Sequence, residues 1–182
     1  VALAWLLLPS VELRVSPYKA LPQVLRQEGS ELAWTEWNAF SRVDVVEADG
    51  LHQAPGLSFT YAQALPPQSA LTVDGDNLAT LTATAPEEAL FTEQLPSAVA
   101  YLILDRPRVL VIEPGGGLDV LTALHHRAGS VVALVANPLE AELLTNRFSA
   151  AAGGVFTDPD VELVVGNPRA YLARDSGSFD LV

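Results

Sequence analysis

Apolar positions along this chain fall into short runs whose rhythm changes once. From Glu31 to Ala48 they alternate with polar ones, as ELAWTEW and SRVDVVEA around Asn38-Ala39-Phe40, which predicts a β-hairpin. Three more strand-like runs follow, LSFTYA, SALTVDG and NLATLTA, punctuated by Pro66-Pro67 and Asp74-Gly75. Ahead of the hairpin, residues 11–28 begin extended and then turn helical. Ser16-Pro17 starts that helix, Leu21, Val24 and Leu25 keep helical spacing, and Gly29 suits its C-terminal cap. Residues 1–85 therefore read as a β-rich domain with one helix near 17–28.

Beyond residue 85 the period lengthens. Pro86 opens a helix carrying Leu90, Phe91 and Leu95, and Pro96 starts another through Ala100 and Leu104. Asp105-Arg106-Pro107 breaks it. Val109 to Ile112 is then an unbroken apolar run, as in a strand covered on both faces. Gly115, Gly116 and Gly117 follow directly, then a helix through Val120, Leu121 and Leu124 and a second β-branched run from Val131 to Val135. Pro138 begins a helix through Leu143, Leu144 and Phe148 that Gly153-Gly154 ends. Val161 to Val165 is a third strand, Pro168 to Arg174 a short helix, and Phe179 to Val182 the start of a fourth strand. Strand alternating with helix is the signature of a doubly wound α/β sheet. The glycine triplet fits either a tight strand-to-helix turn or a site where backbone N–H groups approach a ligand. Three glycines in a row exceed what the turn alone requires.

Composition narrows the chemistry. Net charge is −12 with no basic run, which argues against nucleic acid as a partner. Cysteine is absent, so thiolate and disulfide chemistry are excluded. Methionine is absent even from position 1, and the sheet stops at the start of its fourth strand, so the chain reads as a fragment of a longer parent. The opening VALAWLLL is too short to span a bilayer and lacks a basic flank. It suits either a buried strand or the stub after a membrane segment. Trp34, Trp37 and Phe40 read as core or edge packing, and His52 as a solvated loop residue. His125-His126 are helix neighbours that face different ways and read as solvated positions; no metal site is expected. Asp158 and Asp160 shape the turn before the third strand.

Several stretches, in order along nearly the whole chain, resemble the spermidine synthases, or polyamine aminopropyltransferases. The likeness is strongest to bacterial homologues in which this unit follows a membrane-embedded segment. It rests on Ser16 to Leu21 (SPYKAL), Ser41 to Glu47 (SRVDVVE), Leu71 to Gly75 (LTVDG), Leu95 to Ala98 (LPSA), Val109 to Leu121 and Val161 to Leu172. It implies a small β-rich domain, residues 1–85, followed by a partial Rossmann-like S-adenosylmethionine-dependent methyltransferase fold, residues 86–182. It implies aminopropyl transfer from decarboxylated S-adenosylmethionine, or a related adenosyl sulfonium, to a diamine, with no metal. A small-molecule polyamine partner, a homo-oligomer such as a dimer, and a cytoplasmic setting tethered to a membrane segment in the parent are further implications.

Carried over residue by residue, the match is mixed. Glu113, Gly115, Gly116 and Gly117 fit the acidic glycine turn that holds the donor, although the synthases usually have glycine at Glu113. Asp119 follows the glycines as in the membrane-linked homologues, and serves either as a helix cap or as a ligand contact. Asp74 matches the hairpin acid and Glu93 the acid of the Tyr-His/Gln-Glu motif, both on the substrate side. Asn167 stands where an adenine-binding Asp is expected, Leu78 where the hairpin has glutamine, and Val135 where an acid holds the ribose diol. The catalytic Asp expected after the fourth strand lies beyond Val182, so no catalytic residue is assigned and the fragment is expected to be inactive. The other reading is a degenerate, non-catalytic domain that interacts or senses beside a membrane domain. A nicotinamide-binding domain fits less well, because it too wants an acid at Val135.

Overall fold

The computed structural model describes residues 15–174 and 177–182; the opening VALAWLLL lies outside them. A four-stranded antiparallel meander comes first, β1 (Glu31–Trp37), β2 (Arg42–Glu47), β3 (Gln68–Val73) and β4 (Asp76–Thr82), in the order β1-β2-β3-β4. A parallel sheet follows, β5 (Arg108–Ile112), β6 (Ser130–Val135) and β7 (Val161–Val165). The helices are α1 (Ala20–Val24), α2 (Ala98–Ile103), α3 (Leu118–His125), α4 (Pro138–Glu142) and α5 (Pro168–Arg174). Leu181 bridges Val109 in parallel, on the side of β5 away from β6. The predicted fourth strand thus contributes a single bridge among the described residues.

Alternation along each strand sorts its side chains into different layers. Val43 and Val45 of β2, Leu71 of β3 and Leu81 of β4 share one apolar cluster with Val109 and Val111 of β5 and Val131 and Ala133 of β6. Val120, Leu121 and Ala123 of α3 belong to the same cluster. The intervening residues face outward: Val46 and Ala70 pack under α1, and Leu110, Val132 and Leu134 pack beside Tyr171 and Phe179. One continuous core therefore joins both sheets through α3.

Several expectations need correction. LSFTYA is not a strand. Leu57, Phe59 and Tyr61 mimic period two, but local turns close instead, with Leu57 N–H donating to Ala54 O and Tyr61 N–H to Ser58 O. Leu57 and Tyr61 pack on the core while Phe59 stands fully exposed. The helix expected from Pro86 is two 3-10 segments, Pro86–Glu88 and Leu90–Gln94. The first ends at Ala89 (ψ 47°), and Leu95 is extended (ψ 148°), as the residue before Pro96 prefers, so the second cannot continue. α1 covers only the middle of 17–28, and Gly29, at φ 76°, sits past a run of turns rather than at a helix end. α4 widens into a π turn over Leu143–Arg147, seating Leu143 and Leu144 in the core. Trp34 is packed edge-on against Phe148, whereas Trp37 and Phe40 are exposed. Among the described residues no helix is long and apolar enough to cross a membrane.

Candidate functional site

β5 has β6 on one flank and Leu181 on the other, so the order of strands reverses at β5. In open α/β sheets ligands bind outside the carboxyl end of such a strand. Glu113 stands there in the left-handed region (φ 52°). Its N–H donates to Leu134 O at 2.9 Å and its Oε1 accepts from Ala136 N–H at 3.1 Å, so one residue ties the ends of β5 and β6 together. Gly117 is the N-cap of α3 at φ 95°, and Leu121 N–H donates to its carbonyl at 2.8 Å.

Each glycine of the turn touches protein. A Cβ on Gly116 would lie 2.0 Å from Thr80 O and one on Gly115 3.0 Å from the Ala79 Cβ, both on β4. A Cβ on Gly117 would meet the Phe156 ring at 2.9 Å. The second half of β4, from Ala79 to Leu81, therefore leans directly on the glycine turn, with Leu78 just before it. The triplet has a packing reason in full, whatever else it does.

Asp119 lies in the first turn of α3. It is not the cap, since Gly117 is, but its charge suits the positive end of the helix. It lines a cleft of about 350 Å³ with Ser97, Ala100 and Tyr101 against the side of β5. Partial burial raises the Asp119 pKa above its ordinary value. Burial first, and then the charge of Asp119, push the Tyr101 phenol up to about 12. An acid with a raised native pKa binds its proton more tightly folded than unfolded, so its charge costs stability above that pKa. Asp119→Asn is expected to raise the thermal midpoint at about pH 7, with the gain vanishing as both states protonate below the ordinary Asp pKa of 3.8. Thermal melts of both proteins across pH check this.

At the end of β6, Val135 is buried and offers no acceptor. Asn137 follows it, also buried, and caps α4 by accepting from Leu139 N–H at 3.0 Å. The same amide donates to Ser41 Oγ at 2.8 Å and accepts from Asn38 Nδ2 at 2.6 Å, fastening the β1–β2 turn to the parallel sheet. Glu140, three residues on, has its pKa raised by burial first and also by the Glu113 charge; a hydrogen bond with Asn137 opposes both. Sequence reasoning missed Asn137 and Glu140, although Asn137-Pro138-Leu139-Glu140 has the spacing of a capping box.

The remaining candidates are spread out. Asn167 stands at the end of β7, where its Oδ1 accepts from Ala170 N–H at 3.1 Å and so helps start α5. Asp74 forms the two-residue β3–β4 turn with Gly75, both left-handed. Its Oδ1 accepts from Arg42 N–H at 2.9 Å and its carbonyl from Lys19 Nζ at 2.7 Å. Four residues separate that tip from Ala79, on the order of 13 Å along the strand, so the turn acid is not brought to the glycines. Glu93 lies at the other end of α3 from Asp119, with Oε1 3.3 Å from His125 Nε2. His125 is thus not a solvated residue: its Nδ1 also lies 2.7 Å from Pro86 O. His126 is not solvated either, because it stacks on Tyr101 at 5.1 Å with 7° between the planes. Asp158 keeps its expected role, its Oδ1 accepting from Asp160 N–H at 2.9 Å. Among the described residues no cluster of three His, Cys, Asp or Glu could hold a metal ion.

No protein-family model and no curated protein matches the chain. Solved structures do. A spermidine synthase in complex with the transition-state analogue AdoDATO matches with a TM-score of 0.53 at 21% identity, over 82% of this chain and 46% of that one. Spermidine synthase from Thermotoga maritima matches with the same TM-score and identity, over 82% of this chain and 45% of its own. The chain spans somewhat less than half the length of these solved structures and shares the spermidine synthase fold over the part it covers.

Proposed function

We propose that this is a spermidine-synthase-like domain whose crevice beyond the carboxyl end of β5, at the glycine turn, takes the adenosyl part of decarboxylated S-adenosylmethionine or a related sulfonium. Its ancestral reaction is aminopropyl transfer to a diamine. The observation that carries the reading is the placement of Glu113 to Gly117 at the strand where the sheet order reverses, in a chain sharing the synthase fold. Glu113, the glycine N–H groups and Asp119 border the donor and Asn167 lies across the strand ends towards the adenine; Asp74 and Glu93, which the family resemblance implies for the substrate side, stand away from this crevice. Such a transfer needs the sulfonium held in line with an uncharged amine, tasks for which carboxylates are suited. Val135 accepts no hydrogen bond from a ribose diol, and a missing acceptor of this kind costs about 1–3 kcal/mol, so donor affinity is modest. No catalytic base is assigned.

Titration of the isotope-labelled protein with methylthioadenosine tests this. Amide shifts are expected at Glu113 to Asp119, Leu134 to Asn137 and Asn167. Shifts confined to the opposite, amino ends of β5 to β7 would refute the placement. A second reading is a degenerate domain that no longer catalyses and serves as an interaction or sensing module beside a membrane domain. It is favoured by the apolar Val135 and by Asn167, whose acceptor already serves α5.

A further inference from the structure

α2 is thinly held. Of its six residues Ala98 alone is buried, while Val99, Leu102 and Ile103 are 57%, 80% and 79% exposed. Its chief lateral anchor is the Tyr101 ring, laid flat on His126 at the carboxyl end of α3. The His126 ring also meets His125 edge-on at 5.1 Å, and its Nε2 is buried with no hydrogen-bond partner. That atom is tolerable only as an unprotonated lone pair. A proton there would bury an N–H and a positive charge facing no acceptor, which costs more than a cation gains over a tyrosine face.

We propose that His126 is an acid-released latch on α2: neutral, it stacks on Tyr101 and holds the helix over the cleft lined by Asp119; protonated, it turns towards water and lets α2 swing away.

The groups around His126 support the sign. His125 adjoins it on α3, Glu93 and Glu87 face it from the 3-10 segments, and Tyr101 faces it from α2. Asp105, Arg106, Arg127, Asp158 and Asp160 line, with His126, a second cleft at the amino ends of β5, β6 and β7, separate from the one lined by Asp119. Burial, followed by His125, lowers the His126 pKa, while Glu93 and the Thr92 backbone act the other way without reversing it. Tyr101, at about 12, stays neutral throughout. Because the native pKa lies below the ordinary 6.5, the unfolded or released state binds the proton more readily. The latch is therefore fully closed above that pH and weakens as pH falls through it.

Hydrogen exchange on the whole chain tests the latch. Protection factors of the Val99 to Leu104 amides are expected to fall about tenfold or more between about pH 8 and about pH 5, while those of β6 hold. His126→Phe, which keeps a ring against Tyr101 but cannot ionise, should leave α2 protection independent of pH. In the unmodified protein the His126 ring signal should titrate in step with the loss of protection, a readout that stands even if the variant folds poorly. Equal loss in His126→Phe, or a titrating His126 with α2 protection unchanged, overturns the proposal.

Discussion

Gly116→Ala is expected to lose about 3 kcal/mol of stability or more, at the upper end of what overpacking costs. The added methyl would stand 2.0 Å from Thr80 O and 2.9 Å from Leu81 N, both backbone atoms in a paired strand. A flexible side chain could step aside, but β4 cannot move without disturbing its register with β3. Separating β4 from the turn would also open the cluster in which Leu81 meets Val120 and Leu121. Gly166→Ala is the control, since nothing lies within 4 Å of its added Cβ; its effect should stay within about 0.5 kcal/mol. Chemical denaturation of the two variants checks both statements. A Gly116→Ala protein as stable as the parent would mean that β4 does not rest on the glycine turn.

Asn137→Ala is expected to cost about 2–4 kcal/mol, combining a lost helix cap with polar groups left unpaired in a buried place. The side chain starts α4, holds Ser41 Oγ and receives Asn38 Nδ2, so three segments lose a partner together. Asn137→Asp separates the two contributions. The carboxylate keeps the cap and can still accept from Asn38, but it no longer donates to Ser41, so its loss should be smaller than that of alanine. Denaturation midpoints for both variants, with Ser41→Ala as the partner of a double-mutant cycle, measure the link directly. Additive effects in that cycle would show that the buried hydrogen bond couples nothing.

Much of the fold was legible because its decisive signals are local. Val109 to Ile112, Val131 to Val135 and Val161 to Val165 are β-branched runs too short for helices, and they form the parallel sheet. Asp74-Gly75, both tolerant of left-handed backbone, makes the two-residue hairpin turn its sequence suggests. LSFTYA failed because alternation reports which side chains are apolar, not whether a partner strand is free. The meander is complete without it, and only Leu57 and Tyr61 find the core.

The candidate site was half legible. Glu113 to Asp119 stands where strand–turn–helix reasoning puts it, but the packing that demands Gly116 comes from Thr80, thirty-six positions earlier, which no local pattern encodes. The histidines were misread for the same reason. Their partners, Pro86, Glu93 and Tyr101, arrive from segments preceding β5, and only the folded chain brings them to the end of α3.

The central claim is that the crevice beyond β5 receives an adenosyl group. Calorimetric titration of the protein with methylthioadenosine tests it most directly. One saturable site is predicted, roughly 5- to 150-fold weaker than a site with an acid at Val135 would give, following the missing diol acceptor. No heat of binding at ligand concentrations of about 1 mM, with the protein folded, would contradict the claim and leave the glycine turn as a packing device between the two sheets.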